Sequence, residues 1–354
     1  MNGSTRETGK AITCVDLFCG VGGLTHGLTR GGIAVIAGVD FDPACRFSYE
    51  SNNLAKFLHR DVRKLTAEEV SSSFGTASIR LLAGCAPCQP FSTYSRARRG
   101  RRSGEMWDLL AKFGRLVREV RPELVTMENV PELAQHPVFD GFLRDLSGYL
   151  ISYGIVECER YGIPQTRKRL VLLASRLGSV RLVEPEAPSL VATVRSAIGG
   201  LGPISAGECD AVDAMHSACR LSEINLRRIR ASQPGGTWRD WEEDLVAACH
   251  RKGSGATYPS VYGRMEWDRP SPTVTTQCFG YGNGRFGHPE QDRAITLREA
   301  AILQTFPPEY RFLPEGERPK FALMGRLIGN AVPVRLGEVI AKSFRQHLQA
   351  TRTG

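Results

Sequence analysis

Asp16-Leu-Phe-Cys-Gly-Val-Gly-Gly23 closes the apolar run Ile12–Phe18 and leads into a helical pattern. Strand, glycine-rich turn and helix in this order let a ligand approach the backbone at a helix N-terminus. Working outward, short β-branched runs recur at Ala34–Asp40, Leu81–Ala83, Leu124–Met127, Ile155–Glu159 and Leu170–Ala174, with helical stretches such as Trp107–Val120 and Phe139–Tyr149 between them. Alternation of this kind predicts an α/β domain with a doubly wound, largely parallel sheet.

The texture changes after Ser175. From about Arg176 to Asp268 the chain is rich in Gly, Pro and Arg, with little strand pattern, and carries LRRIR (226–230) and QPGGTWRDW (233–241). Regularity returns at Thr273, with helices expected at Leu297–Gln304 and Val334–Gln349. The expected organisation is a first domain over 1–175, a smaller inserted domain over 176–268, and C-terminal elements over 269–354 that complete the first domain.

Lys and Arg number 46 against 37 Asp and Glu, a net charge of +9. That balance favours a polyanionic partner, although the excess of Arg over Lys also admits a codon-bias origin. No apolar run approaches the roughly 20 residues of a membrane helix, and the opening MNGSTRETGK has no signal-peptide core. A cytoplasmic protein is expected, without membrane contact. Of the ten cysteines only Cys85 and Cys88 form a CxxC pair, so neither a zinc site nor a disulfide framework is expected.

Asp40 ends the second apolar run, where an acid can accept hydrogen bonds from ribose hydroxyls. Asp61 stands near the end of the following segment. The dinucleotide pattern G-x-G-x-x-G fits poorly, because Thr25 occupies the place of its third glycine. A turn that only packs, a nicotinamide dinucleotide and S-adenosylmethionine, which has no pyrophosphate, all remain open on these residues.

Gly84-Cys-Ala-Pro-Cys-Gln-Pro-Phe-Ser92 follows another apolar run, which puts it at the carboxyl edge of the sheet, where crevices form. Pro87 and Pro90 restrict the backbone around Cys88. Cys88 is a buried structural thiol, half of a redox pair, or a nucleophile. The third reading needs an acid, cations and a cover, and candidates exist for each. Glu128, just after the apolar strand, is the acid; burial can protonate such a carboxyl. In Gln165-Thr-Arg-Lys-Arg169 a spacing of two puts Gln165, Arg167 and Arg169 on one face of an extended segment. A solvated basic edge is the alternative. Ser92–Gly104 holds Arg96, Arg98, Arg99, Arg101 and Arg102, and reads either as a plain surface loop or as a cover for a phosphate backbone.

Taken together, the chain resembles the bacterial cytosine-C5 DNA methyltransferases. The matching blocks are DLFCGVGGL (16–24), GCAPCQPFS (84–92), ENV (128–130), QTRKR (165–169), RPSPTVTT (269–276), GRFGHPEQDRAITLREAAILQTFP (284–307) and IGNAVPV (328–334), in the family's order. The resemblance implies a Rossmann-like methyltransferase sheet with an inserted target-recognition domain, and S-adenosylmethionine as cofactor. It implies that Phe18 stacks on adenine, Gly20 and Gly22 shape the methionine pocket, Asp40 takes the ribose and Asp61 the adenine amine, with Asn330 returning from the C-terminal region. Gly23, Phe41, Val62, Pro87 and Ala331 belong to the same expected cofactor set. Cys88, Glu128, Arg167 and Arg169 are the expected catalytic residues, with Arg167 fixing Glu128. Ser92, Arg96, Arg98, Arg99 and Gln165 are the expected DNA contacts. No metal is expected. Double-stranded DNA is the expected partner, and a companion restriction endonuclease encoded nearby is a candidate. One base needs one enzyme copy, so a monomer is expected. A tRNA methyltransferase and a DNA-binding relative without catalysis are the rival readings.

Overall fold

β-Branched and aliphatic runs with little polar interruption must be covered on both faces, and here they form the middle of one sheet. The computed structural model describes residues 11–87, 102–185, 191–252, 255 and 257–353, with the backbone alone at 102–107, 352 and 353. Among the described residues seven strands are present: β1 (Ile12–Leu17), β2 (Ala34–Asp40), β3 (Lys56–His59), β4 (Ile79–Gly84), β5 (Leu124–Asn129), β6 (Leu150–Glu157) and β7 (Lys168–Ser175). Their order is β3-β2-β1-β4-β5-β7-β6. The pairs β1–β2, β1–β4, β2–β3 and β4–β5 are parallel. The doubly wound, largely parallel sheet expected from the alternation is therefore present.

Two features of this sheet place the chemistry. The order of strand addition reverses between the parallel neighbours β1 and β4, and a crevice forms at the carboxyl ends of strands at such a switch point. β7 runs antiparallel to β5, with Glu128 opposite Val171 and Asn129 opposite Leu170. The start of β7, and with it Arg169, therefore lies at the edge where the parallel strands end. Expectation from sequence missed β3, a strand of four residues with only Phe57 buried, too short for an alternation to show.

The helices are α1 (Gly23–Arg30), α2 (Arg46–Asn52), α3 (Ala67–Phe74), α4 (Arg102–Val120), α5 (Pro137–Asp145), α6 (Val194–Ile198), α7 (Glu223–Ala231), α8 (Leu297–Leu303), α9 (Phe321–Asn330) and α10 (Val334–Thr353). The main core joins Val15, Leu17, Leu82 and Val125 of the sheet to Phe113 and Val117 of α4 and Phe142 of α5. Thr66 starts α3 with a reciprocal capping box to Glu69. No helix among the described residues is long and apolar enough to cross a membrane.

The chain divides into two compact units. The first comprises Met1–Val156, Lys168–Glu184 and Leu336–Gly354; the second comprises Glu157–Arg167 and Pro185–Arg335. The expected return of 269–354 to the first domain is thus narrower: it begins at Leu336, and 269–335 packs within the second unit. The reason lies in polar side chains that join distant parts of that unit. Arg298 clasps Asp213 at 2.6 and 3.0 Å, His216 Nδ1 lies 3.1 Å from Thr296 Oγ1, and Arg293 Nε donates to Ile204 O at 3.1 Å. The return itself uses small residues. A Cβ on Gly337 of α10 would stand 3.0 Å from Gly27 Cα in α1, so the two helices cross almost backbone to backbone. His347 Nε2 lies 2.7 Å from Ser175 Oγ at the end of β7.

Candidate active site

In the first unit, β1 ends in a turn that few residues tolerate. Phe18 has φ +58°, Gly20 +53° and Gly22 +92°. A bulky residue in the left-handed region costs about 1–3 kcal/mol and persists only where its surroundings hold it there. Here Cys19 N donates to Val39 O at 3.1 Å and Cys85 N to Leu17 O at 3.3 Å, fixing the turn to the strands on either side. Asp40 closes it: Oδ2 accepts from Gly20 N and Oδ1 from Asp42 N, both at 2.9 Å. Burial raises the Asp40 pKa, partly offset by these amides. Gly23 is the buried first residue of α1.

Phe41, Asp61, Val62 and Pro87 of the expected cofactor set follow neighbouring strands. Phe41 is 65% exposed directly after β2. Asp61 Oδ1 accepts from Arg63 N at 2.9 Å, capping the short turn that contains the buried Val62. Hydrogen bonding from Arg63 holds the Asp61 carboxyl below its ordinary range. Pro87 is half-buried beyond β4.

Sequence reasoning missed Asp16. It is 1% exposed; its Oδ2 accepts from Thr25 Oγ1 at 2.7 Å, and Thr25 Oγ1 also lies 3.1 Å from Tyr49 OH. Asp16 Oδ1 is buried without a hydrogen-bond partner. Burial pushes the Asp16 pKa up to about 7, with Thr25 opposing the rise and Asp40 adding to it. Two signals could have found it: an acid inside an apolar strand, and Thr25 in place of a third glycine. The hydroxyl is there for Asp16.

At the other side of the crevice, Glu128 is 2% exposed near the end of β5. Arg169 Nε lies 2.9 Å from Glu128 Oε1, but off the N–H direction, so the pair is ionic without an aligned hydrogen bond. Cys85 Sγ donates to Glu128 Oε2 at 2.7 Å. Burial first, and then the charge of Glu128, raise the Cys85 pKa well above the ordinary thiol value. A redox CxxC pair relies on an acidic thiol, and Cys85 is the opposite. Asn129 Nδ2 donates to Ala86 O at 3.0 Å, which ties β5 to the segment leading to position 88. Cys88, Ser92, Arg96, Arg98, Arg99 and Arg101 lie outside the described residues.

The alternation expected for 165–169 is present: Gln165 and Arg167 are buried and Thr166 and Lys168 exposed. Gln165 and Arg167 belong to the second unit. Gln165 is 0% exposed; its amide donates to Leu303 O and Gln304 Oε1 and accepts from Val274 N and Arg167 Nη1. A side chain with its polar capacity spent inside the protein offers nothing to DNA, so the expected DNA contact of Gln165 is corrected to a scaffold role. Arg167 donates to Val274 O at 3.0 Å and Gly329 O at 3.2 Å. Within the first unit, the arginine beside Glu128 is Arg169. Gly329 precedes Asn330, the last residue of α9, and Ala331 follows it.

Comparison with known proteins identifies the family. The model of the C-5 cytosine-specific DNA methylase family matches residues 12–346. The Type II methylase M.HgiDII of Herpetosiphon aurantiacus is 52% identical over 341 residues, covering 95% of each chain. The Type II methyltransferase M1.HphI of Haemophilus parahaemolyticus is 28% identical over 343 residues, 94% of this chain and 86% of its own. A crystal structure described as a DNA modification methyltransferase encoded within an E. coli prophage superposes with a TM-score of 0.73 at 23% identity, over 96% of this chain and 100% of the other, a likeness of fold. The crevice with its glycine turn, its buried glutamate and the cysteine segment leading from it therefore stands in a chain that belongs to the C-5 cytosine-specific DNA methylases, enzymes that methylate cytosine in DNA at carbon 5.

Proposed function

We propose that this methylase is a type II modification enzyme that uses S-adenosylmethionine to methylate a flipped-out cytosine within a specific duplex sequence, through a transient bond to Cys88. The observation that carries this reading is the buried Glu128 carboxyl, set between Cys85 and Arg169 at the sheet edge that leads to Cys88.

The first unit suits the cofactor. Asp16 Oδ1, a buried acceptor without a protein partner, fits a donor group that a ligand brings. Phe18 and the open backbone at Gly20 offer a ring and a close approach, Gly22 is assigned to the same pocket by its motif, and the spare lone pairs of Asp40 suit ribose hydroxyls. Phe41, Asp61, Val62 and Pro87, which follow neighbouring strands, are assigned to the same set, and Asn330 and Ala331 are assigned to it by their motif alone. The cofactor supplies, when bound, an electrophilic methyl group on sulfur.

Carbon 5 of cytosine is a poor nucleophile until a thiolate adds to carbon 6 and turns the ring into an enamine. Cys88 is assigned that addition. Only a few per cent of an ordinary Cys is thiolate at neutral pH, so neighbouring arginines would raise its share. Glu128 binds ring nitrogen 3 and the exocyclic amine, and Arg169 holds Glu128 and faces the base. After methylation, loss of the carbon-5 proton and departure of the Cys88 sulfur from carbon 6 restore aromaticity. Flipping costs a few kcal/mol of stacking and pairing; Ser92, Arg96, Arg98 and Arg99 are assigned phosphate contacts that offset it. Target reading is assigned to the 176–268 stretch. A companion endonuclease would cut the same sequence when unmethylated, and the enzyme would act as a cytoplasmic monomer.

The test is a Cys88→Ala variant. It is expected to bind cofactor and duplex DNA, to give no methyl transfer, and to form no covalent complex with duplex carrying 5-fluorocytosine. Undiminished turnover would remove Cys88 from the chemistry. Methylation of tRNA in preference to duplex DNA would move the substrate to RNA.

A further inference from the structure

We infer that Cys85 is a positioning residue for Glu128, holding the carboxyl so that its other oxygen meets the target base. The inference rests on the reading of Glu128 given above. In the β4–β5 register Gly84 stands opposite Met127, so the next residues, Cys85 and Glu128, face each other where the strands end. The Cys85 backbone is anchored by its N–H to Leu17 O at 3.3 Å, and the adjoining Ala86 carbonyl by Asn129 at 3.0 Å. Anchors on both sides fix the direction in which Sγ points, and Sγ lies 2.7 Å from Glu128 Oε2.

This is the one aligned hydrogen bond to the Glu128 carboxyl among the described residues; Oε1 has the charge of Arg169 nearby and no aligned donor. The S–H therefore sets the rotation of the carboxyl plane, and Oε1 keeps lone pairs for an incoming donor. The same arrangement separates the two cysteines of the CxxC pair. Cys85 is half-buried beside a carboxylate, and desolvation and the charge of Glu128 raise its pKa, so it keeps its proton, donates a hydrogen bond and does not compete as nucleophile.

The test measures kcat, the KM for duplex DNA and cofactor affinity in the full chain. Cys85→Ala is expected to lower kcat about tenfold, the equivalent of about 1.4 kcal/mol, and to leave cofactor affinity and KM within about twofold. Cys85→Ser, which keeps a donor, is expected to recover most of the loss. Added to Glu128→Gln, Cys85→Ala should cost little more, because residues that act through one another are not additive. A kcat for Cys85→Ala equal to the parent, or losses that multiply in the double variant, overturns the inference. So does a Ser variant as impaired as Ala. If Glu128→Gln itself retains full kcat, the underlying reading has failed instead. Should the Ala variant not fold, Cys85→Thr and Cys85→Val, equal in size and different in the donor, carry the same comparison.

Discussion

Two buried glutamates, one in each unit, each stand beside an arginine, and they differ in how completely they are satisfied. Glu299 in the second unit is 1% exposed and receives both nitrogens of the fully buried Arg293 at 2.7 Å, with Thr296 N donating to it at 2.7 Å as well. Arg293 also donates from Nε to Ile204 O and Gln291 Oε1 and from Nη1 to Ala294 O. Burial pushes the Glu299 pKa up, and the bonds and charge of Arg293 more than reverse that. Glu128 is equally buried, yet has one aligned donor, a thiol, and an arginine off axis. Water-free polar groups are normally paired. A closed network of Glu299's kind holds a fold together, whereas an incomplete one of Glu128's kind keeps capacity for a ligand.

That contrast is open to direct attack. Glu128→Gln should lower turnover by about 10²–10⁴-fold, the usual worth of acid–base and base-binding groups, while leaving the midpoint of denaturant unfolding nearly unchanged. A large stability loss with little kinetic loss would make Glu128 a second Glu299. Arg293→Ala should do the reverse. It strands a buried carboxylate and is expected to cost about 3–5 kcal/mol of stability, read from denaturant unfolding of the full chain. A loss under about 1 kcal/mol, the range of surface pairs, would show that the network is not what ties 269–335 to its unit.

Asp16 sharpens the comparison most finely, being a third buried acid and the least paired. Its folded pKa of about 7 lies above the ordinary unfolded value of about 3.9. The unfolded chain thus releases its proton first, and stability contributed by this group falls as pH rises from about 4 to 7. Asp16→Asn should remove that slope, a difference of about 1.4 kcal/mol per pKa unit, seen as parent-minus-variant stability across the range without cofactor. Parallel curves would mean that Asp16 finds a partner or water when folded.

Legibility from sequence follows the range of the physics involved. The strand–turn–helix at 12–30, the helices at Leu297–Leu303 and Val334–Thr353, and the paucity of strand pattern in 176–268 are all local patterns. β3 was too short to show. The site's motifs were legible because Gly and Pro constrain the backbone near their own positions. The partner of each side chain was not. Gln165 and Arg169 lie four residues apart on one extended face, yet one is buried scaffold in the second unit and the other meets Glu128 in the first.

By itself the amino-acid order therefore determined the fold class, the family and the segments that carry the chemistry, since periodicity and turn residues act over a few positions. Tertiary structure alone decided that Arg169 is the arginine at Glu128, that Cys85 is the thiol donating to it, that Asp16 keeps an open oxygen, and that the chain rejoins its first unit only at Leu336. Each of these depends on strand direction and on residues far apart in the chain: β7 running antiparallel brings positions 128 and 169 together, and no local preference encodes that meeting.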